Sequence, residues 1–213
     1  MSVREEQLEM WRIIRDRLRD KKLQTVGADY VSTRVPGTTT FWFASSRDAA
    51  PALVDILCLH GSDPIQRLHA KAYEARSDVC AIASGCGTYG GHLLDITGEL
   101  PVVFDEQARH LGRLSPGARH GDLCQKQLSS GTNVLSAKGQ LLILGMTGSR
   151  LILNAELFEK CANAYVLAAA TGKPTEQLPW IVRFIANRRL LKDEKRALAR
   201  VSEGRLPEET KGY

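Results

Sequence analysis

The sequence predicts an α/β protein, on three observations. Apolar residues near the N-terminus recur at helical spacing, two pairs of short strand-like runs are closed by turn residues, and a long stretch after residue 150 returns to helical spacing. In order the chain reads as helix, strands, helix, strands, helices.

Ser2-Val3-Arg4-Glu5 has the form of a capping box, in which the serine side chain accepts from a free amide of the first turn and Glu5 reaches back. Leu8, Trp11, Ile14 and Leu18 follow at steps of three and four, the stripe of an amphipathic helix, and Gly27 helps to end the region. Tyr30 to Val35 and Thr40 to Phe43 are strand-like and joined through Pro36-Gly37, so a hairpin is expected. Asp63-Pro64 can open a helix whose face includes Leu68, Ala72 and Tyr73; Ser77-Asp78 then leads into an apolar strand, Val79 to Ala83. Gly85, Gly87, Gly90 and Gly91 form a loop, read as a tight connection that could also let a ligand approach the main chain. Pro101 to Phe104 is a short buried strand candidate, and a capped helix start at Asp105 follows it. Asn133 to Leu135 and Gln140 to Leu144 read as a second hairpin. A long helix is expected from about Leu153 to Ala170, stopped by Gly172 and Pro174. Another begins at Leu178-Pro179-Trp180, with Ile181, Phe184 and Ile185 as its apolar face and the monomer's own core as the default home of Trp180 and Phe184. The expected organisation is a domain over 1–174, a helical extension over 175–204 and a polar tail over 205–213.

Composition narrows the function classes. With 213 residues, 43% of them hydrophobic, the chain can bury a full core. No run of about 18 apolar residues suggests a membrane span, and the first residues lack the apolar core of a signal peptide, so a cytoplasmic protein is expected. The 5 cysteines are an odd number without a Cys-x-x-Cys pair, which disfavours a disulfide framework or a zinc knuckle. A net charge of +5 raises nucleic acid as a partner. The basic residues at Arg12 to Lys22 and Arg183 to Arg200 are mixed with acids and almost free of aromatics, which reads instead as solvated helix face; no nucleic-acid partner is expected.

The run Leu68-His69-Ala70-Lys71-Ala72-Tyr73-Glu74-Ala75-Arg76-Ser77-Asp78-Val79, continuing to Cys86, resembles the class II aldolase and adducin family, whose pattern reads roughly LHxxIYxxRPDVxAVVHTHS. Similarity extends over about residues 5 to 172, with only the Leu68 to Val79 block specific. The resemblance implies a three-layer α/β/α sandwich around a mainly antiparallel sheet, and a homo-oligomer, a tetramer as in the family.

It also implies a metal site that has lost its ligands. The family's strand ends in His-x-His, whose alternation puts both imidazoles on one face to bind a divalent metal, with a third histidine before a glycine further on. Those positions fall on Ser84, Cys86 and Lys138, and the aldolases' catalytic glutamate falls on Ile65. A catalytic zinc needs three good donors and an open position, so zinc is expected to be absent and no other cofactor is implied. The phosphate-binding positions fall on Asp29 to Ser32, Ser45-Ser46 and Asp63-Pro64, and keep little of an anion cradle.

Two readings of function stand. In the first the cleft is metal-independent: Lys138 is the boldest candidate, as an imine-forming amine with Cys86 and Tyr89 as neighbours, and Ser32, Ser84, Asp105 and Glu106 would contact a small carbonyl or carboxylate ligand. The bland alternatives are a solvated turn lysine, a buried filler cysteine and a capped helix start. In the second the protein is a non-catalytic, adducin-like member, a pseudoenzyme whose fold serves assembly or ligand binding. An active lyase on a hydroxy-carbonyl or oxo-acid compound, of aldolase, decarboxylase or epimerase type, is the further alternative.

Overall fold

Side chains alternate across a strand, and here both faces of the central strands are buried, so the sheet needs helices on each side. A computed structural model describes residues 2–24, 29–60, 62–85, 87–96, 100–114, 128–137, 139–172 and 175–209, with the backbone alone at 94–96.

The first helix, α1 (Val3–Asp20), starts at the predicted capping box: the Ser2 hydroxyl accepts from the Glu5 amide and the Glu5 carboxylate accepts from the Ser2 amide. Strands β1 (Tyr30–Arg34) and β2 (Thr40–Ser45) form the predicted hairpin, in register Ser32↔Phe43, and Gly37 takes φ +77° in its turn, where a side chain would be strained. β3 (Ala52–Asp55) pairs with β2; its four residues are too few to show alternation, and the sequence reading misses it. Helix α2 (Pro64–Ala75) is capped by Asp63 and leads to β4 (Ala81–Ser84). Short helices α3 (Thr88–Ile96) and α4 (Asp105–His110) precede the second predicted hairpin, β5 (Val134–Ala137) and β6 (Gln140–Gly145). Two long helices, α5 (Gly148–Ala169) and α6 (Trp180–Ser202), complete the order.

The six strands form one sheet in the order β3-β2-β1-β4-β6-β5, each pair antiparallel. Ile82, Leu142 and Leu144, with Phe41 and Phe43, pack against Leu68, Ala72 and Tyr73 of α2. The alternate residues Val31, Ala81, Ala83, Leu141 and Ile143 pack against α1 and α5, around Trp11, Ile14, Leu151 and Phe158. The expected three-layer α/β/α sandwich is therefore observed. Among the described residues no helix is long and apolar enough to cross a membrane.

Three expectations need correction. Gly90 and Gly91 lie inside α3 and not in a loop. Pro101 to Phe104 pairs with no strand among the described residues and is an extended lead into α4, held by the Leu178 amide on the Val102 carbonyl at 2.9 Å. α5 begins at Gly148, five residues before the expected start, because the Thr147 hydroxyl accepts from the Arg150 amide as an N-cap. A Cβ at Gly148 would lie 2.2 Å from the Met10 sulfur, so glycine there lets α1 and α5 close together.

The C-terminal helix is tied to the sandwich by a buried guanidinium. Arg76 grips Asp78 with two bonds of 2.8 and 2.7 Å, donates to the Thr132 carbonyl at 2.7 Å and to Glu194 of α6 at 2.8 Å. Glu194 in turn accepts from the Gly131 amide at 2.8 Å. Burial pushes the Glu194 carboxyl up to about 7 against the pull of Arg76. Since Asp193 and Glu194 both turn inward, the exposed side of α6 carries Arg188, Arg189, Lys192 and Lys195 without the acids that the sequence mixes among them. Trp180 and Phe184 are 69% and 52% exposed and do not complete the core as expected; Ala186, Leu190, Ala197 and Val201 are the buried face.

Replacing Arg76 strands Asp78 and Glu194 in the interior. Arg76→Ala should therefore lower the unfolding free energy by about 3–5 kcal/mol in urea titrations, where a loss below ~1 kcal/mol would mean that the cluster behaves like a surface pair.

Candidate functional site

The strand end to which the resemblance assigns metal ligands is built by β1, β4 and the start of α3. Ser84 closes β4 fully buried, and its hydroxyl is engaged by the neighbouring strand: it accepts from the Tyr30 amide at 3.2 Å and donates to the Tyr30 carbonyl at 3.5 Å. Gln24 donates across both strands, to the carbonyls of Tyr30 at 3.4 Å and Ser84 at 3.3 Å. Its own carbonyl oxygen is buried with no hydrogen-bond partner among the described residues, an unsatisfied acceptor beside the strand end. Gly85 continues at φ +89°. Cys86 and Lys138 lie outside the described residues.

Beyond Gly85 the first turn of α3 is gripped by α5. Glu159 accepts from the amides of Tyr89 at 2.8 Å and Gly90 at 3.0 Å, a carboxylate neutralising free donors at the start of a helix. It reaches them because residue 87 lacks a side chain: a Cβ there would lie 2.3 Å from the Glu159 carboxyl carbon. At residue 87, a glycine that the sequence presents as loop freedom thus makes room for a carboxylate. The Tyr89 ring is half-buried, packs on the α1–α5 core and meets His92 edge-on at 6.5 Å. Gly87→Ala should expel Glu159 from the helix start and cost about 1–3 kcal/mol, with faster amide exchange at Tyr89 and Gly90; unchanged exchange would refute the clamp.

The remaining candidates separate. Ser32 is buried in the α2 layer, with its hydroxyl 2.8 Å from both His69 Nδ1 and the Tyr73 hydroxyl. Two residues of the recognised pattern, His69 and Tyr73, thus hold α2 to β1 through Ser32. Asp105 is exposed on α4, and Glu106 is tied to Lys160 of α5 at 3.5 Å, in the opposite layer from Ser32. Of the histidines, His69 lies in the core, His110 contacts Arg150 at 2.5 Å, His60 and His92 are exposed, and His120 lies outside the described residues. Among the described residues no three His, Cys, Asp or Glu side chains are grouped to hold a metal ion.

The positions corresponding to a phosphate cradle do meet, but with the wrong charge for one. The Tyr30 hydroxyl contacts Asp63 at 3.4 Å, Ser46 donates to Asp29 at 3.0 Å, and the Ser45 amide donates to Asp48 at 3.0 Å. Burial raises the Tyr30 phenol, and Asp63, Asp29 and Asp48 each raise it further, so three carboxylates act at this corner; Arg47 pairs with Asp29 at 3.1 Å, and Arg15 donates to the Asp48 carbonyl at 3.3 Å. Sequence reasoning misses Gln24 and Glu159 as parts of the site. Gln24 lies past the end of α1 with no pattern to mark it, and Glu159 sits among other polar residues of α5, beside Lys160 and three residues after Glu156.

Burial pushes the His69 ring down to about 3 and the His110 ring to about 4, from 6.5. Both folded values are depressed, so the stability these neutral rings confer is present above pH 6.5 and lost as pH falls through that range, at up to about 1.4 kcal/mol per pH unit for His69. Glu194, raised from 4.5 to about 7, acts in the opposite sense, its contribution being full below 4.5 and lost as pH rises through 7. Urea midpoints should drop between pH 6.5 and 4, and less steeply in His69→Gln; equal slopes in the two proteins would show that His69 titrates freely.

No protein-family model and no curated protein sequence matches the chain. Solved structures do. L-fuculose 1-phosphate aldolase from Glaciozyma antarctica aligns over 95% of this chain and 92% of its own, at 15% identity and a TM-score of 0.71. An aldolase II superfamily protein from Pseudomonas syringae aligns over 95% of each chain at 18% identity and 0.67. L-fuculose-1-phosphate aldolase from Thermus thermophilus covers 81% of this chain and 100% of its own at 13% identity and 0.60. Identities this low bear on architecture alone, and the chain has the class II aldolase-like fold.

Proposed function

We propose that this chain is a class II aldolase-like protein whose cleft is metal-independent and binds an unphosphorylated hydroxy-carbonyl compound. The observation that carries the reading is the engagement of the Ser84 hydroxyl. An alcohol that both accepts from and donates to the main chain of the next strand is a poor zinc donor by chemistry and by commitment. Ile65, at the position of the aldolases' glutamate, brings no proton-transfer group. The three carboxylates around Tyr30 oppose a phosphate at the corner where the resemblance assigns one, since like charges at short range cost affinity.

Within this cleft we assign the Gln24 carbonyl oxygen to a ligand hydroxyl, because it is the buried acceptor there with no hydrogen-bond partner among the described residues. Tyr89 supplies a phenol beside the α3 start, and Lys138 remains the proposed imine-forming amine, with Cys86 as its neighbour. Under this proposal Ser32 supports β1 against α2 and does not touch the ligand. A homo-oligomer is proposed on the same resemblance, with Trp180, Ile181, Phe184 and Ile185 as apolar surface that a neighbouring copy would cover.

Calorimetric titration of chelator-treated protein with a panel of hydroxy-carbonyl compounds and their phosphate esters tests the reading. Binding of unphosphorylated members, unaffected by added zinc and weakened several-fold in Gln24→Ala, is expected; preference for the phosphate esters, or binding that appears only with zinc, would refute it. Borohydride added with a bound carbonyl compound should leave a reduced adduct on Lys138, and a panel member that binds without that adduct removes the imine role.

A further inference from the structure

At the other end of the sheet, where β6 runs into α5, lies a cavity of about 360 Å³ that none of the preceding reading uses. Thr147 and Arg150, in the first turn of α5, form one wall; Asp193, Arg196 and Arg200 of α6 form the other; and Glu208 and Glu209 of the tail close the rim. The volume is that of a small-molecule site. Its inner side is fixed. Arg150 is 5% exposed and donates to Nδ1 of a neutral His110, while Asp193 is held by Arg109 of α4 at 2.5 Å.

The rim is held differently. Arg200 binds Glu208 at 2.7 Å and the Leu206 carbonyl at 2.8 Å, and Thr147 donates to Glu209. Yet the Glu208 side chain is 76% exposed, and exposed pairs of this kind are weak. The tail is therefore a loosely seated carboxylate pair in front of Arg150, Arg196 and Arg200; among the described lining residues the inner carboxylate is Asp193, held by Arg109 and 3.6 Å from Arg196.

We propose that this cavity is a binding site for a small multivalent anion, a phosphate compound or a polycarboxylate, and that Glu208 and Glu209 are its tethered competitor. The walls supply forked donors suited to either oxyanion, beside the N-terminal end of a long helix. A tethered occupant acts at roughly millimolar effective concentration, so a ligand that binds in the micromolar range displaces it. The site is independent of the cleft at the Ser84 end, and its failure would leave that reading untouched.

The test is titration of the full chain with pyrophosphate and with citrate at constant ionic strength, followed by calorimetry, for the unaltered protein, Glu208→Gln/Glu209→Gln and Arg196→Gln/Arg200→Gln. Circular dichroism and thermal melts establish that each variant is folded. Saturable binding of either anion, tightened about fivefold by the tail substitutions and lost with the arginine substitutions, supports the site, the stronger of the two probes giving the ligand class. Absence of binding to both the unaltered chain and the tail variant, or binding that survives in the arginine variant, overturns it.

Discussion

A guanidinium that leaves water must find partners for its donors, and Arg76 finds one close by in sequence and two far from it. Asp78 follows it by two residues, the carbonyl of Thr132 precedes β5, and Glu194 comes from the last helix. That one requirement fixes the turn between α2 and β4, and hence the depth at which β4 enters the sheet. It also seats α6 against the 129–133 segment, where Glu194 takes the Gly131 amide as well. The same docking places Asp193, Arg196 and Arg200 beside Arg150, so the arginine-lined cavity exists only because α6 is held there.

Much of the architecture was legible because its signals are local. The capping box at Ser2, the Pro36-Gly37 turn, the Asp63 cap and the two hairpins each depend on a few adjacent residues. What escaped depends on partners distant in sequence. β3 is a strand because β2 offers it an edge, with Phe41 opposite Val54. Gly90 and Gly91 looked like loop because the carboxylate that holds the start of their helix, Glu159, is on α5. The charge pattern of α6 misled for a related reason: Asp193 and Glu194 read as relief for neighbouring lysines and arginines, but they are consumed by Arg109 and Arg76 in the interior.

At the candidate site, the strand itself was legible in the sequence, whereas the partners of its side chains were not. Matching the Leu68 to Val79 block located the strand end, and the structure shows that block to be largely scaffold: His69 and Tyr73 hold Ser32, and Arg76 and Asp78 hold each other. The pattern residues serve packing here, and the Ser84 hydroxyl likewise serves the main chain of β1. At the corner around Tyr30, where the resemblance implies phosphate-binding positions, Asp29, Asp48 and Asp63 bring negative charge instead.

The account turns on whether the Ser84 end of the sheet still binds a transition ion. Zinc titrated into the purified chain at pH 7, in competition with a chromophoric chelator of micromolar affinity, measures this directly. No withdrawal of zinc from the chelator is the result expected if, as the resemblance implies, the ligand positions fall on Ser84, Cys86 and Lys138 and the Ser84 hydroxyl stays engaged with β1. Stoichiometric withdrawal that disappears in Cys86→Ser would contradict it and return the cleft to metal chemistry.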